Sequence, residues 1–221
     1  MSPTDRPFPF RAGPWSQRCA RFTVVLLAGF TAGVGHSGPA AVSGTTAQWV
    51  FVADRAPEGV PLDASTACGL PRFQTTLVQR LNAARAVARS CGNSVMPAAG
   101  PLVWNQRLFS AADRHARDMA TRNYFSHTSL DGRSLAQRVA AEGYAWTSVG
   151  ENLAGGQATV DGVIAGWLSS PGHCSNLMSR QFEAVGVSCV RQAGSRFGHY
   201  WVMVLARQAD EWAVNLNRQG R

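Results

Sequence analysis

Three short stretches of this 221-residue chain carry groups capable of chemistry beyond packing: Tyr124-Phe125-Ser126-His127, Gly150-Glu151-Asn152-Leu153-Ala154 and Ser170-Pro171-Gly172-His173-Cys174-Ser175-Asn176. Each sets a titratable or metal-binding side chain at the end of an expected helix or in a glycine-flanked loop, where distant segments can converge while their backbones stay solvated. His127, His173 and Glu151 supply two imidazoles and one carboxylate. That is the minimum set for a divalent metal site with an open coordination position, or for proton transfer to a bound water. The three lie more than 20 residues apart, so no local spacing forces them together. The plainer role for the same residues is structural, with the imidazoles bonding loop backbones and Glu151 holding the amides of Gly150 and Asn152. Cys174 beside His173 mimics a cysteine nucleophile, but an even cysteine set in an exported chain favours a disulfide. No Gly-x-Ser-x-Gly elbow marks a serine hydrolase.

The elements that must position these groups read as helices first and strands last. Leu77, Leu81, Ala84 and Ala88 repeat at helical spacing up to Cys91 and Gly92. Asn105 is a good N-cap for a second helix marked by Leu108, Ala111, Ala112, His115 and Met119, ending around Asn123. A shorter helix fits 134–142, capped by Ser134 and stopped by Gly143, and another fits 160–168, capped by Thr159 and ended by Pro171. Residues 184–190 and 200–205 are β-branched or aromatic runs joined through Ala193, Gly194 and Ser195, as in an antiparallel hairpin, with a further short strand at 146–149. This order predicts an α+β domain with helices covering an antiparallel sheet. His115 falls on an inward helix face and His199 at the start of a strand, so both read as packing residues. Trp104, Trp146, Trp167 and Trp201 read as packing the sheet and helix faces.

Composition bounds the setting. With 45% hydrophobic and 15% charged residues the chain suits one domain plus a processed or flexible end. The formal charge of +8 comes entirely from arginine, dispersed along the chain, which argues against a nucleic-acid surface. Arg18 and Arg21 lead into an apolar run from Phe22 to Val34, then small residues to Ala41, as in a secretory signal over 1–41. An uncleaved anchor is the alternative, and both place the rest outside the cytoplasm, secreted or in the periplasm or cell envelope. Residues 42–70 read as a linker or N-terminal arm, 71–210 as the domain and 211–221 as a C-terminal tail.

Removing the first segment leaves Cys68, Cys91, Cys174 and Cys189, an even set that predicts two disulfides. No Cys-x-x-Cys pair suggests a structural zinc. A helix between Cys68 and Cys91 would be about 25 Å long at about 1.5 Å per residue, while bridged Cα atoms lie within about 7 Å, so these two do not pair. Cys91–Cys174 with Cys68–Cys189 is the preferred arrangement, and the crossed pairing is its alternative.

The segment from Phe73 to Arg207 resembles the CAP superfamily (cysteine-rich secretory, antigen 5 and pathogenesis-related 1 proteins) in its short bacterial form. The likeness covers about three fifths of the chain. It rests on Leu81-Asn82 with Arg85, Leu102-Val103-Trp104-Asn105, Ala111 to Ala120, Phe125-Ser126-His127, Gly150-Glu151-Asn152-Leu153-Ala154, Trp167 with Ser170-Pro171-Gly172-His173, and Phe182 with Val185-Gly186-Val187. The resemblance implies a three-layer α-β-α sandwich with a central antiparallel sheet. It also implies a cleft of two histidines and two acids, in which His127, Glu151 and His173 match the first histidine, the first glutamate and the second histidine. The second glutamate is missing, since Leu168, Ser169 and Ser170 follow Trp167 where it should fall.

The expected function is therefore a secreted protein whose His/Glu/His cleft binds a divalent metal or small ligand without turnover. Zn2+ or another divalent cation would sit on His127 and His173. A metal-assisted extracellular hydrolase with Glu151 as base is the alternative, and a lipid or sterol binder comes third. Expected partners are a small ligand or an envelope or extracellular component, with no nucleic acid, membrane contact only through the export signal, and a monomeric state.

Overall fold

The computed structural model describes residues 59–210; the expected signal segment, the first part of the 42–70 arm and the 211–221 tail lie outside the described residues. In chain order the elements are α1 (Phe73–Arg85), β1 (Arg89–Cys91), β2 (Ser94–Met96), β3 (Val103–Trp104), α2 (Gln106–Arg122), α3 (Leu135–Ala141), β4 (Trp146–Gly155), α4 (Val160–Ser169), α5 (Pro171–Met178), β5 (Ala184–Arg191) and β6 (His199–Gln208). The main sheet runs β3-β5-β6-β4. It is antiparallel except for the two-residue parallel ladder of β3 on β5.

Both faces of this sheet are covered, which explains why β6 is apolar without interruption from Tyr200 to Ala206. Trp201, Met203 and Leu205 point into a core shared with α1, α4 and α5. Tyr200, Val202, Val204 and Ala206 point into a second core with α2 and α3. The result is the three-layer α-β-α sandwich. Helix α2 begins where the Asn105 side chain accepts the amides of Arg107 and Leu108, and ends at Asn123 in the left-handed region. It lies directly on β5 at Gly186. A Cβ there would stand 2.0 Å from the Phe109 amide nitrogen, so only glycine lets the helix sit so close.

Two expectations are corrected and a third is extended. The first helix, expected to run to Cys91, stops at Arg85. That guanidinium is buried and binds the carbonyls of Gly100, Leu177, Ser179 and Phe182, fixing the helix end against three other segments. The chain beyond it forms the β1–β2 hairpin around Gly92 and Asn93, with Gly92 at positive φ. Helix α4 does end ahead of Pro171, at Ser169, but the same proline also opens a helix that was not expected, α5: the backbone turns at Ser170, and proline occupies the first helical turn, where its missing N–H is harmless. The short strand at 146–149 is a ten-residue strand, β4, that includes Gly150, Glu151 and Asn152.

The two disulfides are Cys68–Cys189 and Cys91–Cys174. The first ties the segment before α1 to β5. There Ala67 bridges Cys189, and the Ser188 hydroxyl donates to the Thr66 carbonyl. The second ties α5 to β1.

Candidate functional site

The site is built on the edge strand. Successive β4 residues face opposite sides of the sheet. Glu151 pairs with Val204 and shares the α2–α3 face, whereas Asn152 pairs with Met203 and shares the α5 face. Two neighbouring residues on one strand thus reach the two histidines from opposite layers.

On the α2–α3 face, Glu151 is nearly fully buried, and each carboxylate oxygen has a partner. Its Oε1 lies 2.7 Å from His127 Nδ1, and its Oε2 accepts from Arg138 Nη2 at 2.5 Å. A carboxylate only accepts, so His127 Nδ1 carries the hydrogen and Nε2 is left facing away from it. The His127 side chain is 61% exposed. Arg138, itself buried, holds the loop as well as the carboxylate: Nη1 donates to the His127 carbonyl (2.9 Å), the Arg133 carbonyl (3.2 Å) and the Ser129 hydroxyl (3.3 Å). His115 completes the support from α2. Its Nε2 lies 2.8 Å from the Ser126 carbonyl, to which it donates, and its Nδ1 lies 3.3 Å from the Ser129 hydroxyl.

On the other face, His173 stands in the first turn of α5. Its carbonyl accepts from Asn152 Nδ2 at 2.9 Å. Asn176, one helical turn on, donates to the Glu151 carbonyl and the Asn152 side-chain oxygen. Asn152 is fully buried, so these bonds fix α5 against β4. Cys174, next to His173, is in the disulfide to Cys91 and is no nucleophile.

The two imidazoles are tuned in opposite directions. The hydrogen bond to Glu151 raises the His127 pKa above the ordinary histidine value, against the opposing effects of burial and of Arg138. Burial lowers the His173 pKa, and the charge on His127 lowers it further. His115 is also lowered, first by burial and then by Arg138. The charge on His127 thus bears on His173, but among the described residues no group of three His, Cys, Asp or Glu side chains is placed to hold a metal ion. Where the second acid would fall, Leu168 packs against the core and the Ser169 hydroxyl bonds the Gly166 carbonyl.

Sequence reasoning missed Arg138 and set His115 aside. Arg138 lies three residues after Leu135 and next to Val139, on the inward side of a short amphipathic helix. An arginine in that position predicts a buried acidic partner, and Glu151 was the available one. His199 stays at the start of β6, opposite Arg191. Trp167 and Trp201 are buried and donate to the Leu153 and Gln157 carbonyls, as packing residues.

Residues 78–205 match the family model described as CAP, the cysteine-rich secretory protein family. Over 95 residues the chain is 34% identical to the uncharacterized protein YkwD of Bacillus subtilis (strain 168), covering 43% of this chain and 37% of that protein. It is 33% identical over 91 residues to the uncharacterized membrane protein YlbC of the same organism, covering 41% of this chain and 26% of that protein. The matched part thus spans well under half of each curated relative, 37% and 26%. Among solved structures, an outer surface protein from Borrelia burgdorferi superposes with a TM-score of 0.53 at 18% identity, covering 68% of this chain and 99% of that one, a likeness of fold.

Proposed function

Because the chain belongs to the cysteine-rich secretory protein (CAP) family, we propose that it acts outside the cytoplasm as a binding protein whose cleft takes a divalent cation, zinc foremost, through His127 and His173, without turnover. The observation that carries this reading is the bond from His127 Nδ1 to Glu151, which leaves Nε2 on an exposed ring as a free donor. A carboxylate on the far nitrogen is the usual support of a metal-ligating imidazole, because it fixes the tautomer and raises the basicity of the other nitrogen. Glu151 is then the orienting residue behind a ligand, not a ligand itself. The lowered pKa of His173 keeps its lone pair available near neutral pH, as ligation requires.

The donor set fits a cation held by two imidazoles, with its remaining positions filled by water or by groups of a bound small ligand or extracellular component. When bound, zinc would supply Lewis-acid polarisation of that ligand. Hydrolysis is disfavoured by the state of Glu151. Glu151 is nearly fully buried, each of its oxygens already accepts a hydrogen bond, one from His127 and one from Arg138, and no second acid stands at 168–170. Export is supported by the signal-like N-terminal pattern and by two disulfides, which persist in oxidising compartments. No helix among the described residues is long and apolar enough to cross a membrane.

Calorimetric titration of the protein with zinc tests the proposal beside a His127→Ala/His173→Ala double variant and Glu151→Gln. Micromolar binding is expected for the parent, none for the double variant, and about 10- to 100-fold weakening for Glu151→Gln. Equal affinity in the parent and the double variant would overturn it.

A further inference from the structure

We infer that a shelf beside His127, made by Phe125, Phe197 and Arg196, is a subsite that takes the free C-terminus of a peptide ending in an apolar residue. The inference rests on the reading of His127 as a cation ligand only for calling the shelf part of the cleft.

The shelf is preformed. Phe197, at the end of the β5–β6 turn, lies on Gly155 of β4, where a Cβ would stand 2.7 Å from its ring, and it meets the Tyr200 ring edge-on at 5.6 Å. Phe125 packs on Phe197 with ring centroids 4.9 Å apart, and the Arg196 guanidinium stands over the same ring at 5.0 Å. Asn123, at the end of α2, ties the turn down: its Oδ1 accepts from the Arg196 amide at 2.8 Å and from the Tyr200 hydroxyl at 3.2 Å. Gly155 lies further along the face of β4 that carries Glu151, which sets the shelf about 13 Å along the strand from the carboxylate that holds His127.

Charge and polarity select the occupant. Arg196 is exposed and forms no ion pair among the described residues, and Phe125 is 39% exposed. The nearest acid of α2 in sequence, Asp118, is taken by Arg122 and by the Tyr124 hydroxyl. A guanidinium stacked on a ring keeps its edge donors free, and these match the two oxygens of a carboxylate. The apolar surface beside it is narrow, because Asn123, Ser126 and Thr128 around Phe125 in the loop are polar and exposed. It suits a single side chain and not an acyl chain. A peptide C-terminus with an apolar last residue carries both groups on one carbon, and the chain behind it covers about 13 Å towards His127 in about four residues.

The test titrates the ¹⁵N-labelled full chain, freed of zinc by a chelator, with N-acetylglycyl-leucine and follows the Phe125 and Phe197 amide resonances. Saturable shifts are expected, with a dissociation constant on the order of millimolar for so small a ligand. Binding should weaken about fivefold in Arg196→Gln, and equally when the peptide is amidated at its C-terminus. It should weaken about tenfold in Phe125→Ala. Both replaced side chains are exposed, so the variants keep the fold. Zinc affinity in Arg196→Gln should match the parent, so failure of the shelf and failure of the cation site read out separately. No saturable shift in the parent, equal affinity for the amidated peptide or for N-acetylglycylglycine, or tighter binding of octanoate than of the peptide would each overturn the inference.

Discussion

The two histidines of the candidate site are held by opposite means. His127 sits on a loop fixed by a buried network of charge, with Arg138 joined to Glu151 and to three groups of the loop. His173 sits on a helix fixed by a covalent bond, Cys91–Cys174, and by the neutral amides of Asn152 and Asn176. The difference carries through to chemistry. The half built on charge raises its histidine pKa, and the half built on neutral contacts and burial lowers it. One strand supplies both, because consecutive residues of β4 face opposite layers.

Breaking the charged half should have the largest effect. Arg138→Ala leaves Glu151 buried without its cation, and removing one partner of a buried pair costs about 3–5 kcal/mol. Urea unfolding should show that loss, and in the surviving fold the His127 ring resonances should broaden while those of His173 stay sharp. Equal broadening of both rings would mean that the halves are not independent.

The covalent half comes next. Cys91→Ser/Cys174→Ser should lower stability by about 2–4 kcal/mol, with amide exchange rising in α5 and not in the loop at 124–129. Protection unchanged in α5 would show that the asparagines alone hold the helix. Asn152→Ala is smaller, about 0.5–1.5 kcal/mol for each of the hydrogen bonds lost to the His173 carbonyl and the Asn176 amide. Thermal melts should place it below the disulfide variant in cost, and the reverse order would move the weight from sulfur to amide.

The smallest effect is the pH profile. His127 has a raised pKa in the fold, so its bond to Glu151 stabilises fully below about pH 6.5 and fades as pH rises through the raised value. His173 has a lowered pKa, so its contribution is present above about pH 6.5 and is lost as pH falls through the lowered value. Ring titrations by NMR should give midpoints on opposite sides of about 6.5. His127→Gln should flatten the alkaline limb of stability, whereas His173→Gln should leave an acid limb, because His115 is lowered as well. Coincident midpoints would remove the electrostatic side of the comparison.

What could be read from the sequence divides along the same line. Caps and periods gave α2, α3 and the start of α4, since Asn105, Ser134 and Thr159 act locally, each on amides two or three residues away. The cysteines gave both bonds, and two of the three motifs hold the partners of the His127–Glu151 bond. The run of β4 past Val149 was hidden because Gly150 and Gly155 look like strand breakers. Each is there for a ring from elsewhere: a Cβ at Gly150 would stand 2.7 Å from Phe182, and one at Gly155 would stand 2.7 Å from Phe197. The end of α1 was hidden because Arg85 is held by carbonyls up to 97 residues away. Arg138 was missed because its meaning depends on Glu151, which no local window contains.

The two disulfides have a further consequence for how the chain comes into being. The loop closed by Cys91 and Cys174 lies wholly inside the one closed by Cys68 and Cys189. The rings are nested, so neither has to be threaded through the other, and the inner one can be sealed while the outer is still open. The outer partners are 121 residues apart, which at about 5–20 residues per second of synthesis separates their appearance by roughly 6–24 s. Cys174 is made before Cys189, so of the two native bonds the inner one is the first to have both its partners in place.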